Sequence, residues 1–396
     1  MISATAGGVM RIIGRIAAIF TALVLINGAT IILTEYGHKA PHLPPPQERM
    51  APPESITLLF AGDLMAHNVN FNMADYTDIY QEMKPAIEHA DLAFINLETP
   101  VYEKAPYTSF PRFNVHQDYV QAAVDAGFDI FALANNHSAD QEAPGIIATL
   151  ELMRKLAAEE GIAYSGLRMH QRSPITPTTV KAGNWTIGFI SITSFINVWS
   201  GHELIYLTDY YRNEALRRAF SDYIRTIRPL YQILVVAVHD GAEYSNTPLE
   251  RKKVFFRELA EAGADVVWGN HSHVLQPWER FTKKDGTTAV LIYSMGNFIS
   301  GQTWNIDPDD YKNEKNATGD SCLLNITFTK EPGKKAIPRS ITPYLAFNYR
   351  DPVKGMIVRP YDKIIGDEGV PKAWKDFYRE RKRLLSWFLR PDQPSS

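Results

Sequence analysis

Two imidazoles stand two positions apart in the stretch WGNHSH, at His271 and His273, directly after the strand-like run ADVVW. Four other strand-like runs close in a comparable way: SITLLFAG at Asp63, DLAFINL at Glu98, FDIFALAN at Asn136 and His137, and QILVVAV at His239. Carboxylate, amide oxygen and imidazole are the donors that hold a divalent cation. Cys322 is the single cysteine, so neither an internal disulfide nor a cysteine-built zinc site is open to this chain. Taken singly, each residue has a commoner role, a strand-end Asp as a cap and a buried His as a hydrogen-bonded core residue. Five strand ends bearing such groups together point to one shared polar site with a metal in it. Side chains at i and i+2 of extended backbone face the same way, which predicts that His271 and His273 reach it together.

The elements that must position these groups alternate along the chain. Short apolar runs rich in β-branched residues read as buried strands, and the stretches between them repeat with helical period. Helices are expected around DIYQEMKPAIEHA, YVQAAVDAG, GIIATLELMRKLAAEEG, EALRRAFSDYIRTIR and LERKKVFFRELAEAG. Such alternation predicts an α/β fold with largely parallel strands covered by helices, and ligands gather at the carboxyl ends of those strands. Beyond residue 286 only strand-like runs follow, in TAVLIYSMGNFI, SCLLNITFTK and PRSITPYLAFN, which fits a second sheet or an antiparallel extension.

At 396 residues, 45% hydrophobic and 21% charged, the chain has the composition of a protein with a substantial core. A net charge of −3 gives no case for nucleic acid as the partner. Residues 16–34 carry no charge and follow Arg11 and Arg15, a pattern that predicts a single-pass signal anchor in the cytoplasmic membrane with residues 1–15 inside and the remainder extracytoplasmic. Residues 35–55 are proline-rich and read as a semi-rigid linker. The main domain is expected over 56–365. Residues 366–396 form a basic, aromatic helix whose Trp374, Tyr378, Leu385 and Phe388 repeat at helical spacing, as a packed terminal helix would.

Taken as an ordered set, AGDLMAH, NLETPV, LANNHSAD, VHDGAEY, WGNHSHVLQP and YSMGNFISGQ resemble the CapA-type poly-γ-glutamate capsule-biosynthesis family, which is itself similar to the calcineurin-like metallophosphoesterases. The resemblance runs from about residue 56 to 302. It implies a four-layer αββα metallophosphatase-like sandwich preceded by the transmembrane helix. It further implies that Asp63 and His273 hold one ion, that Asn136, His239 and His271 hold another, and that Glu98 bridges them. His137 would be the non-ligand imidazole that protonates a leaving group or fixes an oxyanion. The cofactor would be one or two divalent ions, Mn, Zn, Mg or Fe.

The sequence departs from the phosphoesterase pattern. Asp-x-His is broken here, since Leu64 and Met65 follow Asp63, leaving His67 as the residue that could reach back. Asp240 stands where relatives commonly carry Trp, which would make a pocket wall more anionic. Around the site, Glu243 and Tyr244 are candidates for substrate contact, while Gln276 and Asn297 are candidates for fixing the second ring nitrogen of a ligating histidine. Two functions follow from this reading. The first is a membrane-anchored factor for synthesis or export of poly-γ-glutamate or a related anionic polymer, working with membrane subunits of a polymer synthase. The second is a stand-alone cell-envelope metallohydrolase acting on a phosphoester or a γ-glutamyl amide bond.

Overall fold

The computed structural model describes residues 54–389 apart from 311 and 312. The expected span at 16–34 and most of the proline-rich linker lie outside the described residues. Among the described residues no helix is long and apolar enough to cross a membrane.

Fourteen strands are described. In chain order they are β1 (Glu54–Leu64), β2 (Leu92–Leu97), β3 (Ile130–Ala132), β4 (Ala163–Ser165), β5 (Thr178–Ala182), β6 (Trp185–Thr193) and β7 (Ile233–His239). There follow β8 (Val266–Asn270), β9 (Leu275–Thr282), β10 (Thr288–Met295), β11 (Asn297–Ile299), β12 (Asp320–Lys330), β13 (Ile337–Asp351) and β14 (Gly355–Pro360). The longer helices are α1 (Gln117–Asp125), α2 (Glu142–Glu159), α3 (Glu214–Ile227), α4 (Glu250–Ala262), α5 (Tyr361–Gly366) and α6 (Lys372–Leu384).

The strands form two sheets. One runs β14-β13-β12-β1-β2-β3-β4, with β11 also paired to β1, and the other runs β5-β6-β7-β8-β10-β9. Each has a parallel middle, β1 to β4 in the first and β6-β7-β8-β10 in the second, and antiparallel strands beyond it. The sheets are therefore mixed rather than largely parallel. Nor do the strands beyond residue 286 make a sheet of their own. β10 completes the parallel part of the second sheet, whereas β12, β13 and β14 extend the first.

Period-two alternation sorts each central strand between two cores. In β7, Ile233, Val235 and Ala237 join the cluster between the sheets, while Leu234, Val236 and Val238 join the cluster that includes the helices. In β2, Leu92 and Phe94 face inward and Ala93, Ile95 and Leu97 outward. Continuing each inward series by two residues gives His239 on β7, and Asn96 and Glu98 at the end of β2. The site thus sits at the carboxyl-end rim of the space between the sheets. Beneath it Phe60 stacks on Phe94 at 4.7 Å, Phe94 meets Phe189 edge-on at 5.5 Å, and the Trp268 indole N–H donates to the Ala61 carbonyl at 3.2 Å, tying the layers together.

Helices cover the outer faces through apolar stripes, Ile146, Leu150, Met153 and Leu156 on α2, and Phe255, Phe256, Leu259 and Ala260 on α4. The helix expected through DIYQEMKPAIEHA is instead a 3-10 turn at Tyr76–Ile79 and one short helical turn at Lys84–Ile87. Pro85 is the physical reason: it has no N–H to give and its ring collides with the carbonyl four residues back, so it can start a helix but not sit within one. At the other end of the chain, α6 and the residues after it bury Phe377, Tyr378, Leu385 and Phe388 in the cluster between the sheets. The basic terminal stretch is part of the domain core.

Candidate metal centre

The candidate ligands arrive from five strand ends. Asp63 lies in β1, where the pairing with β2 shifts register between Phe60 and Asp63. Gly62 occupies the shifted segment, and a Cβ there would come within 2.1 Å of the Gly296 carbonyl oxygen, so only glycine fits. The Asp63 N–H donates to that same carbonyl at 2.9 Å. Glu98 follows β2, Asn136 and His137 lie in the turn after β3, His239 ends β7, and His271 and His273 follow β8. All seven are buried.

His271 and His273 meet the site for a different reason than strand alternation. Both have left-handed backbone, φ 93° and 57°, so the segment after β8 is a tight loop and not extended chain. Non-glycine residues adopt this conformation at a cost of about 1–2 kcal/mol each. Tyr244, φ 61°, shares the loop region and donates its N–H to the Ser272 carbonyl at 2.8 Å.

Hydrogen bonds fix the donors. Asn96, not anticipated from the sequence, gives its side-chain N–H groups to Asp63 Oδ1 at 2.8 Å, His239 Nδ1 at 3.3 Å and Glu98 Oε2 at 3.4 Å. His239 Nε2 donates to Asn136 Oδ1 at 2.7 Å and stands 3.5 Å from Glu98 Oε1. His273 Nδ1 faces Asn297 Oδ1 at 3.0 Å and Asp63 Oδ2 at 3.3 Å, which turns its Nε2 toward Glu98 Oε1 at 3.8 Å. Asn297 does fix a histidine ring. Gln276 does not: its side-chain N–H donates to the Ser245 carbonyl at 2.7 Å.

The ligand atoms fall into two overlapping groups, Asp63 with Glu98 and His239, and Glu98 with His271 and His273, each within 4.8 Å. Glu98 belongs to both. These groups rest on proximity alone, and Asp63 Oδ2 also stands 3.3 Å from His273 Nδ1, the pair the resemblance implies for one ion. The donor set fits a divalent cation. Glu98 Oε1 and His271 Nδ1 are buried with no hydrogen-bond partner among the described residues, and such atoms are expensive to bury unless something binds them.

Electrostatics agree. Burial pushes His239 down to about 3 and His271 well below the imidazole range, so both rings are neutral, and His271 Nδ1 carries no hydrogen bond. Burial, then the neighbouring Asp63 carboxylate, drives Glu98 well above the usual carboxylate range. Burial also works to raise Asp63, but the hydrogen bond and charge of His273 outweigh it and hold Asp63 below its ordinary value. One acid ionised and its neighbour protonated is the arrangement of two carboxyls too close to carry charge without a counter-ion. A cation would release the Glu98 proton on binding.

His137 stands apart from the ligand groups. Its Nδ1 donates to Asp140 Oδ2 at 2.7 Å, its ring lies 4.7 Å from Phe113, and Asn197 approaches at 3.5 Å. Asp140 was not singled out in the sequence, although it follows His137 by three in NNHSAD. It holds the ring with Nε2 directed away from the carboxylate. His67 accepts the Gly301 N–H on Nδ1 at 3.1 Å, and its ring lies 5.2 Å from the same Phe113. Burial, then nearby His273 and His137, lowers it to about 4. It is thereby a neutral ring with its proton on Nε2, a hydrogen-bond donor, and it belongs to neither ligand group. Glu243 is exposed and hydrogen-bonded to Tyr244, whose ring is 6.1 Å from that of His273. Asp240 does not line an anionic wall. It is buried, and its carboxylate accepts hydrogen bonds from Ser194 and Tyr210.

Residues 57–302 match the family described as Bacterial capsule synthesis protein PGA_cap, well over half of the chain. The chain belongs to this family. Among relatives, the capsule biosynthesis protein CapA of Bacillus anthracis is 26% identical over 265 residues, covering 63% of this chain and 61% of that protein. The PGA biosynthesis protein CapA of Bacillus subtilis (strain 168) is 26% identical over 280 residues, covering 67% of this chain and 69% of its own length. Among solved structures, the NAD nucleotidase NadN of Haemophilus influenzae overlays with a TM-score of 0.45 at 10% identity, covering 85% of this chain and 68% of that one. The PGA_cap match ends at residue 302, so β12 to β14 and α6 lie beyond it while all six candidate ligand positions, with His137, fall within it.

Proposed function

We propose that the chain is a membrane-anchored extracytoplasmic factor for the synthesis or export of an anionic capsule polymer of the poly-γ-glutamate kind, working with membrane subunits of a polymer synthase through a divalent-metal centre. One observation carries this reading: six oxygen and nitrogen donors from five strand ends converge in a PGA_cap chain, with Glu98 Oε1 and His271 Nδ1 left for a ligand to satisfy. A divalent ion, when bound, supplies positive charge that grips a carboxylate or polarises a bond to be cleaved. Asp63, Glu98, Asn136, His239, His271 and His273 would hold it. Asn96 and Asn297 orient the ligands, and His67 offers an N–H to substrate oxygen.

One feature favours the second reading, a cell-envelope hydrolase of a phosphoester or γ-glutamyl amide. Gripping a polymer needs no proton donor, whereas the His137–Asp140 pair has the form of one, and such groups contribute typically ~10²–10⁴-fold in rate. The deciding experiment incubates the protein with poly-γ-glutamate and with model phosphodiesters, with and without chelator, beside the Asp140→Asn variant. Chelator-sensitive product that falls in the variant establishes the hydrolase. Stoichiometric metal without any product favours the accessory role. Metal absent from the wild type, or unchanged in a Glu98→Gln His271→Ala double variant, would remove the metal centre from both readings.

A further inference from the structure

A cavity of about 430 Å³ opens at the amino ends of β7 and β8, the strands whose carboxyl ends lead to His239, His271 and His273. Arg228 stands in the turn before β7, Asp265 directly precedes β8, and Lys283 directly follows β9. Five basic and three acidic side chains line the cavity. Arg225 pairs with Asp222, and Lys335 with Asp285 at 3.1 Å. Glu261, which accepts the Lys284 N–H at 3.2 Å, offsets the charge of Lys284. That leaves Arg228 and Lys283 against the one carboxylate of Asp265, at 3.1 Å and 3.7 Å, with a positive charge in excess. Asp265 and Lys283 are both buried, so the excess lies where water screens it least.

The two cations are not equally served. Arg228 donates to the Tyr231 and Gln232 carbonyls as well as to Asp265, and its stem lies against Gly263, φ 126°, where a Cβ would come within 2.8 Å of Arg228 Cγ. An ammonium has three N–H groups. Lys283 has a single hydrogen bond among the described residues, to the Ala264 carbonyl at 3.3 Å, and Asp265 Oδ1 at 3.7 Å is outside hydrogen-bond range. Burial lowers Lys283 below the ordinary lysine value; Asp265 opposes this and the Arg228 charge adds to it. A buried charge that the protein leaves uncompensated destabilises the fold, and an oxygen anion is the partner that answers both its charge and its unused N–H groups. We propose that the cavity is an oxyanion site, in which the Lys283 ammonium holds a phosphate or carboxylate group at the end of the sandwich opposite the candidate metal centre. The site needs no metal. Its assignment to a carboxylate of the anionic polymer is the one part that rests on the function proposed above, and it would grip the polymer roughly 20 Å from the metal donors, the length of β8 from Asp265 to His271 at about 3.3 Å per residue.

The test is calorimetric titration of the full chain, stripped of metal and dialysed free of chelator, with inorganic phosphate, acetate and a γ-linked glutamate oligomer. Wild type should bind phosphate, and Lys283→Met and Lys283→Gln should each weaken that binding by about tenfold or more. Methionine leaves Asp265 and Arg228 as a balanced pair, and glutamine, which keeps an N–H for the Ala264 carbonyl, serves where methionine unfolds the protein. Phosphate should also raise the Tm of wild type and leave that of the variants unmoved. An oligomer that binds more tightly than acetate assigns the site to the polymer, whereas equal affinities assign it to a small free oxyanion. Wild type that binds none of the three, a result that needs no variant, overturns the proposal, as does phosphate binding unchanged in folded Lys283 variants. Phosphate binding lost in Glu98→Gln His271→Ala but kept in the Lys283 variants would place the anion among the metal donors and overturn it too. None of these outcomes bears on whether the chain holds a metal, so this site and the metal centre can fail separately.

Discussion

Two buried acidic clusters sit in this domain, and they are built on opposite plans. At one, Asp320 accepts hydrogen bonds from the Tyr361 hydroxyl at 2.6 Å and from two nitrogens of Arg381, which fastens α6 across the sandwich. Every charged atom there has a partner supplied by the protein. At the other, Asp63 and Glu98 lie among three buried imidazoles, yet Glu98 Oε1, His271 Nδ1, Ser272 Oγ and Asn270 Oδ1 have no hydrogen-bond partner among the described residues. Two of its backbone positions are left-handed as well. A cluster that satisfies itself is structural. One that leaves buried polar atoms unpaired beside left-handed backbone is a candidate binding site.

The comparison can be broken from either side. The largest effect should come at the closed cluster: Arg381→Met strands the Asp320 carboxylate and should cost about 3–5 kcal/mol in urea unfolding, with metal content untouched. Next, the pH response of metal-stripped protein should be steep on the acid side. His67 and His239 stay neutral in the fold down to about 4 and about 3, while in the unfolded chain they take up protons below about 6.5. The unfolded state then binds more protons, so stability is full above about pH 6.5 and is lost as pH falls toward 4. His67→Gln should shallow that slope by at most about 1.4 kcal/mol per pH unit in unfolding titrations.

At the open cluster the sign reverses. His271→Gly should stabilise the stripped protein by about 1 kcal/mol, because glycine accepts the left-handed backbone, while removing one metal position. A loss of stability there would show that the imidazole is structural and undo the contrast. The smallest effect belongs to an exposed pair on the same helix as Arg381. Lys372 and Asp376 lie 2.9 Å apart in solvent, and Lys372→Ala should move stability by less than about 0.5 kcal/mol.

The candidate ligand positions were legible because strands buried on both faces are monotonously apolar, so an acid or imidazole at their ends stands out. His239 and Glu98 even carry the inward parity of their strands. What escaped was set by contacts across the chain. Asn96 looks like an ordinary strand residue until Asp63 and His239 are placed around it. Asp140 and Lys283 matter only once the turn after β3 and the turn after β9 are folded against their neighbours. The left-handed loop at 271–273 left no mark, since histidine is not a residue that advertises such backbone. The two-sheet division of the late strands was hidden for a related reason: β10 and β11 read as one apolar run, TAVLIYSMGNFI, although they belong to different sheets.

That run has a mechanical meaning. Between Met295 and Asn297 the chain steps from one sheet to the other through Gly296, φ 63°, which lies against Gly62 and accepts the Asp63 N–H, while Asn297 holds His273. A covalent stitch therefore joins both sheets at the candidate site, and the two cannot part there without displacing Asp63 and His273. The rings of Phe113, Phe195 and Tyr244, which pack near His137, His271 and His273, belong to other segments and lie outside that stitched connection.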